Sequence, residues 1–151
     1  MNTTNYNTTA SIMHLSTFSQ YLFPLGNFVF PIVIWSSTKD KSAYVDQQGK
    51  EVINFQLSIF IYQVLLAAVA IPILAVTILK NLEINTAIHD NELFIRSIEA
   101  QEITGVVIAA IIAIVFIIML QFFEFLMTIY AAVKTSNGEN FSYPLAIKFL
   151  K

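Results

Sequence analysis

The sequence predicts an all-α membrane protein with three transmembrane helices, the first of them kinked or broken. Three observations carry that prediction. Of 151 residues, 56% are hydrophobic and only 12% charged, whereas a soluble domain carries about 25% charge. So little charge cannot cover a globule, and a bilayer is the natural solvent. Residues 52–79 and 103–133 form two apolar stretches longer than the roughly 20 helical residues needed to cross the hydrocarbon core. A third stretch, residues 12–35, reaches that length with interruptions.

The elements follow in order. Residues 1–11 form a polar tail without the Lys or Arg of a signal-peptide n-region, and residues 12–151 form one integral membrane domain. In the first span "FPLGN" sets Pro24 beside Gly26, and proline removes a backbone donor and clashes with the preceding turn. Irregular backbone at that depth must be buried against protein or face water, so this segment is expected to pack on the other two. The second span, residues 52–79, reaches about 42 Å as a helix and is expected to tilt or to emerge at one end, with a kink at Pro72. Between Glu83 and Glu102, the residues Ile84, Ile88, Ile95 and Ile98 fall near helical spacing, which fits either a surface amphipathic helix or a solvated loop. The third span is the most apolar. After it, Asn137-Gly138 is a good helix stop. Residues 137–151 then alternate at Phe141, Tyr143, Leu145, Ile147 and Phe149, as an interfacial segment or a docking strand would.

Charge sets the expected orientation. Lys39, Lys41 and Lys50 lie in the first loop and Lys134, Lys148 and Lys151 after the third span, against Lys80 and Arg96 in the remaining connection. By the positive-inside rule the first loop and the residues after span three are cytoplasmic, and the start of the chain is outside. Trp35, Tyr44, Tyr130 and Tyr143 would then form interfacial belts. His14 would lie a full bilayer away from the cytoplasmic ends of spans two and three, as a capping or interface histidine.

Several polar groups gather at those cytoplasmic ends. Asn54, Ser58 and Tyr62 recur every four residues and share a helix face, while Gln56 lies on another. On span three Gln121, Glu124 and Thr128 are spaced i, i+3, i+7. Glu124 is the one charge inside the third apolar segment, and an intramembrane carboxylate is costly enough to be a functional-site hypothesis. Asn54, Gln56, Ser58, Gln121 and Glu124 therefore define a candidate polar seam, for packing between helices or for transport or partner binding. Lys50 and Glu51 are expected to remain wet.

The excluded classes are as informative. With no cysteine and four glycines, disulfides, Cys-ligated zinc, thiol nucleophiles and phosphate-cradling loops are absent. Neither histidine has a second histidine at ligand spacing, so no metal or cofactor is expected. A net charge of −2 without a basic cluster gives no footprint for nucleic acid. No catalytic constellation is present.

Four stretches, "HLSTF" at His14–Phe18, "FPLGNFVFPIVIW" at Phe23–Trp35, "YVDQQGKEVINFQLSIFIY" at Tyr44–Tyr62 and "AAVKTSNGENFSYPLAIKF" at Ala131–Phe149, occur together in this order. They resemble a bacterial family of small multi-pass membrane proteins with a domain of unknown function, labelled similar to the Tic protein-import component of chloroplasts (the twenty-kilodalton subunit). The resemblance implies a helical multi-pass protein and a subunit of a larger assembly. The resulting expectation is a non-enzymatic inner-membrane subunit acting through lipid, membrane-protein partners or copies of itself. The competing expectation is a small oligomeric channel or transporter subunit that uses Glu124 and the broken first helix.

Overall fold

A computed structural model of the chain describes the backbone of residues 3–81 and 105–151, and the side chains of residues 5–75 and 107–151. The expected surface helix between Glu83 and Glu102 lies outside the described residues. Among the described residues four α-helices are seen: α1 (Thr3–Leu15), α2 (Gly26–Thr38), α3 (Ala43–Asn81) and α4 (Gly105–Ser136). A 3-10 segment, Ser16–Tyr21, follows α1, and a second, Lys39–Lys41, follows α2.

Among the described residues, two helices are long and apolar enough to cross a membrane, over Ala43–Ala75 and Val107–Ser136. Only 17% of the most apolar window of each is buried. The core helix of a soluble protein would be mostly covered; these faces suit lipid. Helix α3 begins well before the predicted residue 52, because "AYVDQQGKE" is helical too, and it continues through Pro72. The predicted first span is instead divided into α1, a 3-10 segment and α2. Helix α1 also takes in most of the supposed polar tail. The physical cause of the division is local: Pro24 cannot donate a hydrogen bond, and Leu25 turns the chain with a left-handed φ of 64°.

The chain packs as two units, Met1–Tyr62 with Leu120–Lys151, and Gln63–Met119. The second unit consists, among described residues, of the apolar stretches of α3 and α4, with Ala70, Ala110 and Ala113 buried and Leu65, Ile71, Ile118 and Met119 exposed. The first unit holds the core: Met13, Val45, Val52, Phe55, Ile59, Ala131, Phe141 and Tyr143. Its centre is aromatic. Tyr143 stacks on Phe55 at 4.0 Å and 8°, and Phe141 meets Tyr143 edge-on at 4.9 Å, the offset and T-shaped geometries that aromatic quadrupoles favour. Tyr143 is thus a core residue, 5% exposed, and not part of an interfacial belt.

Helix α4 ends as the sequence suggested. Gly138 takes a φ of 79°; its N–H donates to the Thr135 carbonyl and that of Glu139 to the Lys134 carbonyl. This is the Schellman pattern, with glycine at the left-handed position. Beyond it the chain is irregular, with a turn at Pro144-Leu145 and a hydrogen bond from the Phe149 N–H to the Ile147 carbonyl. It lies on α3.

Candidate functional site

The polar residues singled out in α3 and α4 all lie in the first unit, yet they do not form one seam. They fall into two groups, and a third polar group forms around His14.

The first group fastens residues 142–150 to α3. Asn54 Oδ1 accepts the N–H groups of Phe149 and Leu150 at 3.1 and 2.8 Å, while its Nδ2 donates to the Leu150 carbonyl at 3.0 Å. One turn on, Ser58 Oγ accepts the Ile147 N–H at 2.7 Å and donates to the Asn54 carbonyl at 2.7 Å. Another turn on, the Tyr62 hydroxyl donates to the Leu145 carbonyl at 2.9 Å. An irregular segment outside any sheet must satisfy its backbone elsewhere, and here a helix face supplies partners. Asn54 and Ser58 are buried, at 2% and 0% exposure. Glu51 extends the same stripe, accepting the Ser142 hydroxyl at 3.0 Å and the Tyr143 N–H at 3.4 Å, with Lys148 at 4.0 Å. It is only 7% exposed, so the expectation of a wet Glu51 is corrected. The signal was present: residues 51, 54, 58 and 62 follow i, i+3, i+7, i+11, one helix face.

The second group joins the Ser16–Thr38 region to α3 and α4. Gln56 lies on another face of α3 and its Oε1 accepts Asn27 Nδ2 at 2.7 Å. Glu124, 2% exposed, accepts Gln20 Nε2 at 3.0 Å. Gln121 Nε2 reaches the Tyr21 hydroxyl at 3.4 Å. Gln56 is close enough to act on the Glu124 carboxyl, although its Nε2 has no hydrogen-bond partner of good geometry. Gln20, Tyr21 and Asn27 were missed by sequence reading, because they lie in the segment taken for a broken span.

The third group was not anticipated. His14, fully buried, lies between Gln48 of α3 and Tyr143. With Gln48 Oε1 3.3 Å from Nε2, Nε2–H donates there and Nδ1 accepts the Tyr143 hydroxyl at 2.7 Å. Burial lowers the imidazole to about 4, against a smaller upward pull from Gln48, and burial raises the Tyr143 phenol. Both are neutral at physiological pH. His14 therefore lies beside groups that the expected topology placed a bilayer away. Among the described residues, Gln48 Nε2 and Thr128 Oγ1 are also buried without a hydrogen-bond partner.

At the wet end, Trp35 Nε1 donates to Asp46 at 2.9 Å, and Asp46 pairs with Lys50 at 2.7 Å. The Tyr44 hydroxyl lies 3.1 Å from the Thr135 and Glu139 carbonyls. Chemically, this unit presents buried amides, hydroxyls and carboxylates that mostly bond the chain to itself.

No curated protein and no solved structure matches the chain. Nothing among the comparisons supports the likeness to the chloroplast import component expected from the motifs. A family model does match, over residues 5–150, which takes in all three polar groups and both spanning helices. The chain belongs to the magnetosome magnetite crystal formation protein family, a bacterial family of small membrane proteins.

Proposed function

We propose that this protein is a non-enzymatic assembly subunit of the bacterial membrane in which magnetite crystals form, and that its polar residues act by holding a packed unit together. Asn54, Gln56, Ser58, Gln121 and Glu124 are the residues assigned to that role. The carrying observation is the use to which Asn54 is put: both ends of its amide bind the backbone of residues 149–150. A residue reserved for substrate would not be spent on its own chain. Family membership supplies the biological setting. Membrane-protein partners or further copies of the chain would dock on the lipid-facing helices.

The test is genetic and biochemical together. Deletion of the gene in a magnetite-forming host is expected to change crystal number or size by electron microscopy, and the wild-type gene is expected to restore it. The Asn54→Leu chain is expected to restore it poorly, with less protein recovered from the crystal-bearing membrane. Normal crystals after deletion would remove the role. Ion or proton flux through the purified protein in liposomes, abolished by Glu124→Gln with folding intact, would replace it with the channel reading.

A further inference from the structure

The contacts of the segment predicted as the first span run along α3 and α4 from their charged ends and then return. These contacts serve as depth marks. A Cβ at Gly138, just past the end of α4, would lie 2.7 Å from Asn7 Nδ2, so α1 begins beside the wet end of α4. His14 is level with Gln48 and Tyr143. Further on, Phe18 packs on Phe125 at 5.3 Å and Gln20 bonds Glu124 at 3.0 Å, ten residues inward of Lys134. Then the order reverses. Asn27 bonds Gln56, and Phe28 meets Phe60 at 6.1 Å, but by Trp35 the partner is Asp46, back at the charged start of α3. Helices α1 and α2 pack against each other, as two arms of one hairpin do.

The dimensions fit a single leaflet. Ten residues of α4, from Lys134 to Glu124, span about 15 Å at 1.5 Å per residue, half of a hydrocarbon core of about 30 Å. Helix α2 has 13 residues, about 20 Å, too short to cross. The turn between the arms is closed by its own hydrogen bonds: Leu22 and Phe23 donate to the Ser19 carbonyl, Gly26 to Phe23, and Phe28 and Val29 to Leu25. Pro24 has no donor to satisfy. These bonds satisfy part of the turn's backbone, as irregular backbone at membrane depth requires, and the remaining groups must meet protein or water. The outer surface is apolar, with Leu22 85% exposed and Tyr21, Leu25, Phe30 and Val33 also exposed. No Asp, Glu, Lys or Arg occurs before Lys39. This surface continues that of Phe60, Phe122, Phe125 and Leu126 on the spanning helices of the same unit.

We infer that residues 3–38 form a re-entrant hairpin embedded in one leaflet, its apolar face covered by acyl chains, so that residue 5, the loop at Lys41 and residue 151 lie on the same side of the membrane. The three-span arrangement requires residue 5 to lie opposite Lys41. With no native cysteine, single-cysteine variants carry no background. Full-length Asn5→Cys, Lys41→Cys and Lys151→Cys proteins are labelled with a membrane-impermeant maleimide in right-side-out and in inverted vesicles. All three are expected to react in the same vesicle orientation; reaction of Asn5→Cys in the opposite one overturns the hairpin. A second measurement tests the leaflet. Leu22→Cys carrying a bimane label, in liposomes, is expected to be quenched by lipids spin-labelled deep in the acyl chain and little by aqueous iodide. Quenching by iodide alone, or Leu22→Cys disulfide dimers with no lipid quenching, overturns acyl-chain coverage in favour of water or a second copy.

Discussion

At the scale of single residues, Gly49 explains why the stretch "VDQQGKEVINFQ" is so particular. A Cβ at that position would overlap the Trp35 ring, and Trp35 is held there by its bond to Asp46. Gly49 is needed for close approach, and its backbone is ordinary helix. Gly49→Ala is expected to displace the indole and to cost about 1–3 kcal/mol, the usual range for overpacking. Because Trp35 is the one tryptophan, a red shift of intrinsic fluorescence together with lower thermal stability in detergent checks this directly. An unchanged spectrum would mean the ring has room to move. The residue scale is also where sequence reading was weakest. Asn54 and Glu124 stood out because amides and carboxylates are rare in apolar runs, but nothing local revealed that their partners were Leu150 and Gln20, which only the tertiary path brings near.

At the scale of elements, the docked segment 142–150 finds much of its backbone pairing on a helix face. Its hydrophobic alternation was legible, and so was the 54–58–62 face. That one was the partner of the other was not, since periodicity reports a face and not what covers it. Replacing Asn54 by Leu leaves the Leu150 N–H and carbonyl without that partner, while the Phe149 N–H keeps the Ile147 carbonyl, at about 1–3 kcal/mol for each group that stays buried and unpaired. Amides of residues 145–151 are expected to exchange hydrogen for deuterium much faster in Asn54→Leu than in the wild type, with α4 amides little changed. Equal exchange across the segment would show that Ser58, Tyr62 and Glu51 suffice. The apolar runs of α3 and α4 were read from composition alone; the start of α3 was missed by several residues, as its first turns are polar yet still helical. The Pro24 break was seen, but a break in a crossing helix and the bend of a hairpin have the same local sequence. Only contacts at both ends separate them.

At the scale of the whole molecule, one buried histidine couples α1, α3 and the docked segment to pH. The folded imidazole titrates at about 4 and the unfolded one at about 6.5. Between those values the unfolded chain binds a proton that the folded chain refuses, so the stability is fully present above about 6.5 and is lost as pH falls toward about 4. The full loss is on the order of 3 kcal/mol. The partners facing His14, Gln48 and Tyr143, are neutral and offer a proton no compensation. Thermal unfolding of the detergent-solubilised protein is expected to move to lower temperature from about pH 7 to about pH 5, and His14→Gln to flatten that slope. A slope retained in His14→Gln would assign it to the carboxylates.

The docked segment has a consequence in time as well as in space. Asn54 and Leu150 are 96 positions apart, and His14 and Tyr143 are 129 apart. During synthesis the amide-bearing turn of α3 reaches the membrane long before the backbone that will satisfy it exists. Until then its polar groups need a temporary companion, whether water, the insertion machinery or a partner chain. Closing such distant contacts is slow by nature, and these bonds can form only after the residues that carry Tyr143 and Leu150 have been made.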